Sequence, residues 1–199
     1  MTTARDLTLV ALALPAERSV AQGDLSLALA GAEAIDLLKS GALRLDGDRM
    51  VPGPPVATGD RLLDQAAASL TRREPYDTVA EWLWRRGGEL AAAYVDDLER
   101  AGLVTHPRGH LGFRSTNTVL AESQARRGAE ERRATGEPVL TALLAAAGIG
   151  EEPDEAAESL HGDAVTTVLA AVGDAVTQLE AVRLRRDVEQ AAFDNMWRA

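Results

Sequence analysis

The residues best suited to chemistry with an anion are arginines set beside tryptophans. Trp82, Trp84, Arg85 and Arg86 crowd into one short stretch. A guanidinium fork matches two phosphate or carboxylate oxygens at once, and an indole can pack on the apolar face of a ring beside it. The same residues allow a second reading. The tryptophans then belong to the core, and the arginines close the C-terminal end of their helix, where the helix dipole favours positive charge. His106 and His110 lie four apart, but across Pro107-Arg108-Gly109, a turn-forming sequence, so they read as loop surface and no metal site is expected. Gly-rich phosphate loop, nucleophile elbow and HExxH are all missing, and the chain has three histidines and no cysteine. No catalytic residue and no cofactor is therefore expected.

Helices must position these residues. Thr78-Val79-Ala80-Glu81 is a capping-box pattern that opens VAEWLWRR, and Gly87-Gly88 ends it. Upstream, Leu25, Leu29, Ala32, Ile35 and Leu38 recur at helical spacing, and Gly41 stops that helix. Leu43 and Leu45 then alternate with polar neighbours, Asp46-Gly47-Asp48 turns the chain, and Met50-Val51 return it as a hairpin. Thr58 is expected to cap the next helix, with Asp60 in its first turn. Nearer the N-terminus, Asp6 opens LTLVALAL and Pro15 closes it.

Downstream, ELAAAYVDDLERAG sets Leu90, Tyr94 and Leu98 on one stripe. Leu103-Val104-Thr105, a turn at His106 to Gly109, and His110-Leu111-Gly112-Phe113 predict a second hairpin. Ser115 to Thr135 alternates Arg126, Arg127, Arg132 and Arg133 with Glu122, Glu130 and Glu131, the pattern of a solvated helix. Pro138 starts a short apolar helix, and the acidic stretch Glu151 to Asp163 reads as a loop plus one short helix. Val165, Leu169, Val172, Val176 and Leu179 describe a long helix that ends near Trp197; Val188, Phe193 and Met196 make it dock on its own core or on a second chain. The fold expected is mainly α, a compact helical bundle with two short β-hairpins, forming one domain over 1–199 whose part beyond about residue 148 is helical.

Charge limits the partners. Twenty-one Lys and Arg face thirty-one Asp and Glu, a net charge of -10, so the overall field repels nucleic acid and anionic lipid unless a local basic cluster overrides it. Lys39 is the only lysine, and the abundance of arginine and alanine suggests a high-GC bacterial source. The absence of cysteine suits a reducing cytoplasm. The apolar run Leu7 to Leu14 is too short to span a membrane and reads as a buried helix of a soluble protein.

AGAEAIDLLKSGALRLDGDRM followed by Val56-Ala57-Thr58-Gly59-Asp60-Arg61-Leu62-Leu63-Asp64 resembles the Golgi phosphoprotein 3 family, departing from its P-T-G-D-x-L-L-D segment only by Ala57 in place of proline. The resemblance covers roughly residues 5 to 147. It implies a helical core ringed by amphipathic helices and a non-enzymatic adaptor at the membrane surface. The partner implied is phosphatidylinositol 4-phosphate, held in a basic pocket. The family's pocket positions fall here near Ala21 or Gln22, at Ala30, and near Gly88 and Ala91, so none of its tryptophan and arginine residues is retained. A substitute headgroup site would use Trp82, Arg85 and Arg86. The family's apolar hairpin maps onto Leu103, Val104, Leu111 and Phe113, with Arg108 at its turn; it implies shallow membrane insertion or self-association. The location expected is cytoplasmic, with a peripheral place at the inner face of the membrane.

Two other functions fit the residues. A protein–protein interaction module that has dropped lipid binding explains the missing arginines. LERAGLVTHPRGHLGF also resembles the helix and wing of a winged-helix DNA-binding regulator, but it offers only Arg108 and Arg114 to phosphates on an acidic protein. Homo-oligomerisation through the hairpin or the C-terminal helix is compatible with either membrane or protein partners.

Overall fold

Helix α2, Gln22–Ser40, is buried on every side from Leu25 to Ile35, whereas the sequence spacing predicts a single buried stripe. A helix can be surrounded in this way when its side chains are small enough for neighbours to approach, and Ala28, Ala30, Gly31, Ala32 and Ala34 supply that. The computed structural model describes residues 2–15, 20–105, 119–150 and 162–196. Within them the described elements are mainly helical and share one hydrophobic cluster around α2.

Helix α1, Thr3–Leu12, starts one turn earlier than Asp6 would place it, because the Thr2 hydroxyl caps it by accepting from the Arg5 amide. Its first residue is fastened to α2: the Thr3 amide and hydroxyl both donate to the Asp36 carboxylate at 2.7 Å. Strands β1, Leu43–Asp46, and β2, Arg49–Pro52, pair antiparallel with Leu43 opposite Pro52 and Asp46 opposite Arg49. Gly47 takes φ 60° in the turn, a conformation glycine adopts without strain.

Helix α3, Arg61–Ala68, is capped by Asp60 rather than Thr58. The Asp60 carboxylate accepts from the amides of Leu62 and Leu63 at 3.0 Å. Thr58 instead donates its amide and hydroxyl to Asp64, which braces the loop leading into the helix. Helix α4, Val79–Arg86, has the capping box the sequence predicts, with Thr78 and Glu81 in reciprocal bonds. The amide of Val79 donates to Asp48 and that of Met50 to Asp77, tying the hairpin to the start of α4.

Helix α5, Leu90–Arg100, leads into strand β3, Val104–Thr105. Its antiparallel partner β4 is Val119–Leu120, not the expected His110–Phe113; that predicted return strand lies outside the described residues. The charged stretch after it is also not one helix from Ser115. Helix α6 is confined to Gln124–Ala134 behind a Ser123 cap, and is not wholly solvated, because Ala129 is buried and the helix packs on α1. Helix α7, Pro138–Ala146, begins at its proline as predicted, with Glu137 accepting from the Leu140 amide.

Helix α8, Asp163–Met196, has 34 residues and a length of roughly 50 Å. It packs against α2, α4 and α7, with Val168, Val172 and Ala175 buried. Gly31 of α2 permits the approach: a β-carbon there would lie 2.4 Å from a methyl of Val172.

Candidate functional site

The three headgroup candidates on α4 point to different places. Trp82 is fully buried in the core. Arg86, about 100° further round the helix than Arg85, reaches inward to α2. Its Nε and Nη2 donate to the two oxygens of Glu33 at 2.7 and 2.8 Å, and Nη2 also donates to the Leu62 carbonyl at 3.1 Å. Tyr94 of α5 completes the cluster by donating its hydroxyl to Glu33 at 3.1 Å. The bidentate grip suited to a phosphate is thus occupied by a carboxylate of the same chain.

The electrostatics follow from that burial. Glu33 has no exposed side-chain surface, and burial raises its pKa, opposed by the hydrogen bonds and field of Arg86 and the hydrogen bond of Tyr94. Burial acts against the Arg86 charge as well, but Glu33 outweighs it and holds the guanidinium pKa above its usual value. The Tyr94 phenol is pushed well above its ordinary value by burial and by the neighbouring carboxylate. The pair is therefore an internal ion pair that joins α2, α4 and α5.

Arg85 stays half-exposed. It donates to the carboxylate of Asp77 and, at 3.1 Å, to the Ser69 carbonyl, and its guanidinium carbon lies 5.4 Å from the Trp82 ring centre. Thr71 donates to the same Asp77 oxygen at 2.7 Å. Arg85 thereby holds the turn between α3 and α4, on which Arg72 and Arg73 are exposed. The sequence brings Trp82, Arg85 and Arg86 together; the fold sets Arg85 over the Trp82 ring and commits Arg86 to Glu33.

Beside α4 runs a groove of about 500 Å³ that meets Gln22, Ser26, Trp84, Gly88 and Glu89. Trp84 is 42% exposed, so the two tryptophans divide, one in the core and one on the surface. Glu89 is the only charged residue lining this groove among those described, and it holds a left-handed φ of 58° at the entry to α5. Ala30 and Ala91, two of the four positions expected to carry pocket residues, are buried alanines. In the place of a basic pocket there is a neutral to acidic surface with one exposed indole.

On the second hairpin, Val104 is buried and Leu103 half-buried, while Arg108, Leu111 and Phe113 lie outside the described residues. No group of His, Asp and Glu suited to a metal occurs among the described residues. One described helix segment, Asp163–Ala191 of α8, is long and apolar enough to cross a membrane by length and composition. Glu33 is not among the residues that motif and spacing mark as candidates. The signal available was an acidic residue in the middle of an apolar helical stretch, a position that demands a buried partner.

A family model described as Golgi phosphoprotein 3 (GPP34) matches residues 4–194. The chain belongs to the Golgi phosphoprotein 3 family. The match runs past residue 147, where the sequence resemblance stops, and takes in most of α8. Membership of the Golgi phosphoprotein 3 family supports a non-enzymatic, adaptor-like role. No curated protein matches the chain.

Proposed function

We propose that this chain is a non-enzymatic cytoplasmic adaptor that works through protein partners, its strongest anion-binding fork having been turned inward. The observation that carries this reading is the bidentate bond of Arg86 to the buried Glu33. An arginine held in that way can meet a phosphate only by abandoning a buried carboxylate, which costs several kcal/mol, about 3–5. The acidic surface and the groove beside Trp84, lined by Glu89 and by no arginine or lysine among the described residues, support the same reading.

Family membership and the half-exposed Arg85 favour a second reading, recognition of phosphatidylinositol 4-phosphate at the inner face of a membrane. Arg85, with Arg72 and Arg73 on its turn, would then meet the headgroup, and the hairpin residues Leu103, Val104, Arg108, Leu111 and Phe113 would enter the bilayer surface. Co-sedimentation with vesicles of neutral lipid, phosphatidylinositol or phosphatidylinositol 4-phosphate, at low and moderate salt, separates the two. The expected outcome is no preference for the phosphorylated lipid. Preferential, salt-sensitive sedimentation that is lost in Arg85→Glu would overturn the protein-partner reading in favour of the lipid.

A further inference from the structure

Residues 53–59, between β2 and α3, form a loop that is fastened at both ends. The Gly53 amide donates to the Ala42 carbonyl at 2.8 Å, and the Thr58 amide and hydroxyl donate to Asp64 at 2.9 and 2.8 Å. Between these two ties Pro54 and Pro55 have a fixed φ and no amide hydrogen, so the stretch is stiff and poor in donors. Every residue from Pro54 to Ala57 is exposed, with Val56 at 37%. An apolar segment is thus held open to solvent in one shape.

Across a slot of about 460 Å³ from it stand Ala67 and Ala68 of α3, with the buried Ala42 on the inner side. That volume falls in the range of pockets that bind small groups, about 300–1,000 Å³. The alanines are too short to fill it. Charges of opposite sign mark its two ends: Asp64 lies in the first turn of α3, and Arg72 lies four residues beyond Ala68, the last residue of that helix. Asp64 is already engaged, because one of its oxygens accepts both bonds from Thr58. Arg72 is exposed and has no partner among the described residues, whereas Arg49, Arg61 and Arg85 each face a carboxylate of the chain. Asp77, the acid that could reach back to it, is taken by Arg85 and Thr71.

We propose that this slot binds an extended segment of a partner protein in which apolar side chains stand next to an acidic residue. The proposal rests on the protein-partner reading above and names the chemistry of that partner. The apolar side chains enter between Val56 and Ala68, and the carboxylate accepts the paired hydrogen bonds of Arg72. Arg73, exposed beside it, strengthens the positive field at that end. Asp64 sets the direction. An acid at its end of the slot is repelled, so the segment lies with its acidic residue toward Arg72 and a neutral or basic residue toward Asp64. The wall is ordered before the segment arrives, which spares the cost of ordering it on binding.

Selection of short random peptides displayed on phage against the full chain tests the slot. The expected result is enrichment of Asp or Glu beside Val, Leu or Ile. A synthetic peptide of the enriched sequence should bind in fluorescence anisotropy with an affinity that falls as salt rises. Arg72→Glu should weaken that binding about tenfold or more. Ala68→Leu, which fills the slot but keeps the charge and suits the helix, should weaken it to a similar degree. Arg127→Glu makes the same change of charge at an exposed arginine of α6 and should have far less effect, and circular dichroism checks that all three variants are folded. Loss in Arg72→Glu with full binding in Ala68→Leu would mean attraction of anions alone and overturn the slot. Enrichment of basic peptides overturns it too, as does an acidic peptide that binds Arg72→Glu equally well. Sedimentation with phosphatidylinositol 4-phosphate vesicles that is lost in Arg72→Glu would assign this arginine to a lipid instead. No enrichment at all overturns the slot but not the protein-partner reading, which the vesicle experiment tests separately.

Discussion

Glu33 and Arg86 show how one residue's surroundings decide its role. A guanidinium at a helix end is ordinarily free to pair with any anion, but here a carboxylate buried on α2 lies within 2.7 Å of it. Replacing Arg86 alone with methionine leaves Glu33 buried without its counter-charge, and we expect a loss of about 3–5 kcal/mol in urea unfolding. The double change Glu33→Met with Arg86→Met removes both charges and should recover most of that loss. If the double variant is as unstable as the single one, the cluster stabilises through shape and hydrogen bonds rather than charge compensation. From the sequence, Arg86 was visible as a candidate but its partner was not, because Glu33 lies 53 positions away and only packing brings the two together.

At the scale of elements, local hydrogen-bonding patterns were the most legible part of the chain. Thr78 and Glu81 form their capping box because both partners lie within one turn; Thr78→Ala should lower stability by about 1 kcal/mol, measured by thermal or urea unfolding. The choice between Thr58 and Asp60 as the cap of α3 was not legible in the same way. Either side chain can accept amide bonds, and the loop geometry that turns Thr58 toward Asp64 decided it. The contact between α2 and α8 is tertiary altogether. Gly31→Ala would force its new methyl against Val172, so we expect a loss of about 1–3 kcal/mol. Val172→Ala should be less harmful in that background than in the wild type, a double-mutant cycle that measures the coupling directly.

For the whole molecule, charge and burial act together on the response to pH. Asp6, Glu33 and Asp36 all have raised pKa values, with burial as the leading cause in each. A carboxylate raised in this way binds its proton more readily in the folded chain than in the unfolded one. Folded stability therefore grows as pH falls through the raised values, and the gain is complete below the unfolded values near about 4. Lowering the net charge of -10 works in the same direction by reducing self-repulsion. A thermal scan should show this contribution to Tm growing as pH falls toward the unfolded carboxylate values near about 4, and Glu33→Gln should remove part of that growth. Asp64 and Glu81 act oppositely: hydrogen bonds from Thr58 and Thr78 lower their pKa values, so their contribution is lost at still lower pH. A pH profile of Tm that Glu33→Gln leaves unchanged would contradict this account.

The sequence by itself determined the mainly helical class, the first hairpin, the start of α4 and the family, because each rests on neighbours a few residues apart whose spacing and hydrogen bonds are local. It also determined the long C-terminal helix, whose period persists over many turns. Only the tertiary structure decided that α2 is enclosed on all sides, that β3 pairs with Val119–Leu120, and that Trp82 is buried while Trp84 is exposed. The fate of the arginines was decided there too. A guanidinium carries the same charge whether it faces solvent or a buried carboxylate, and which of the two it meets depends on the packing of helices far apart in the chain.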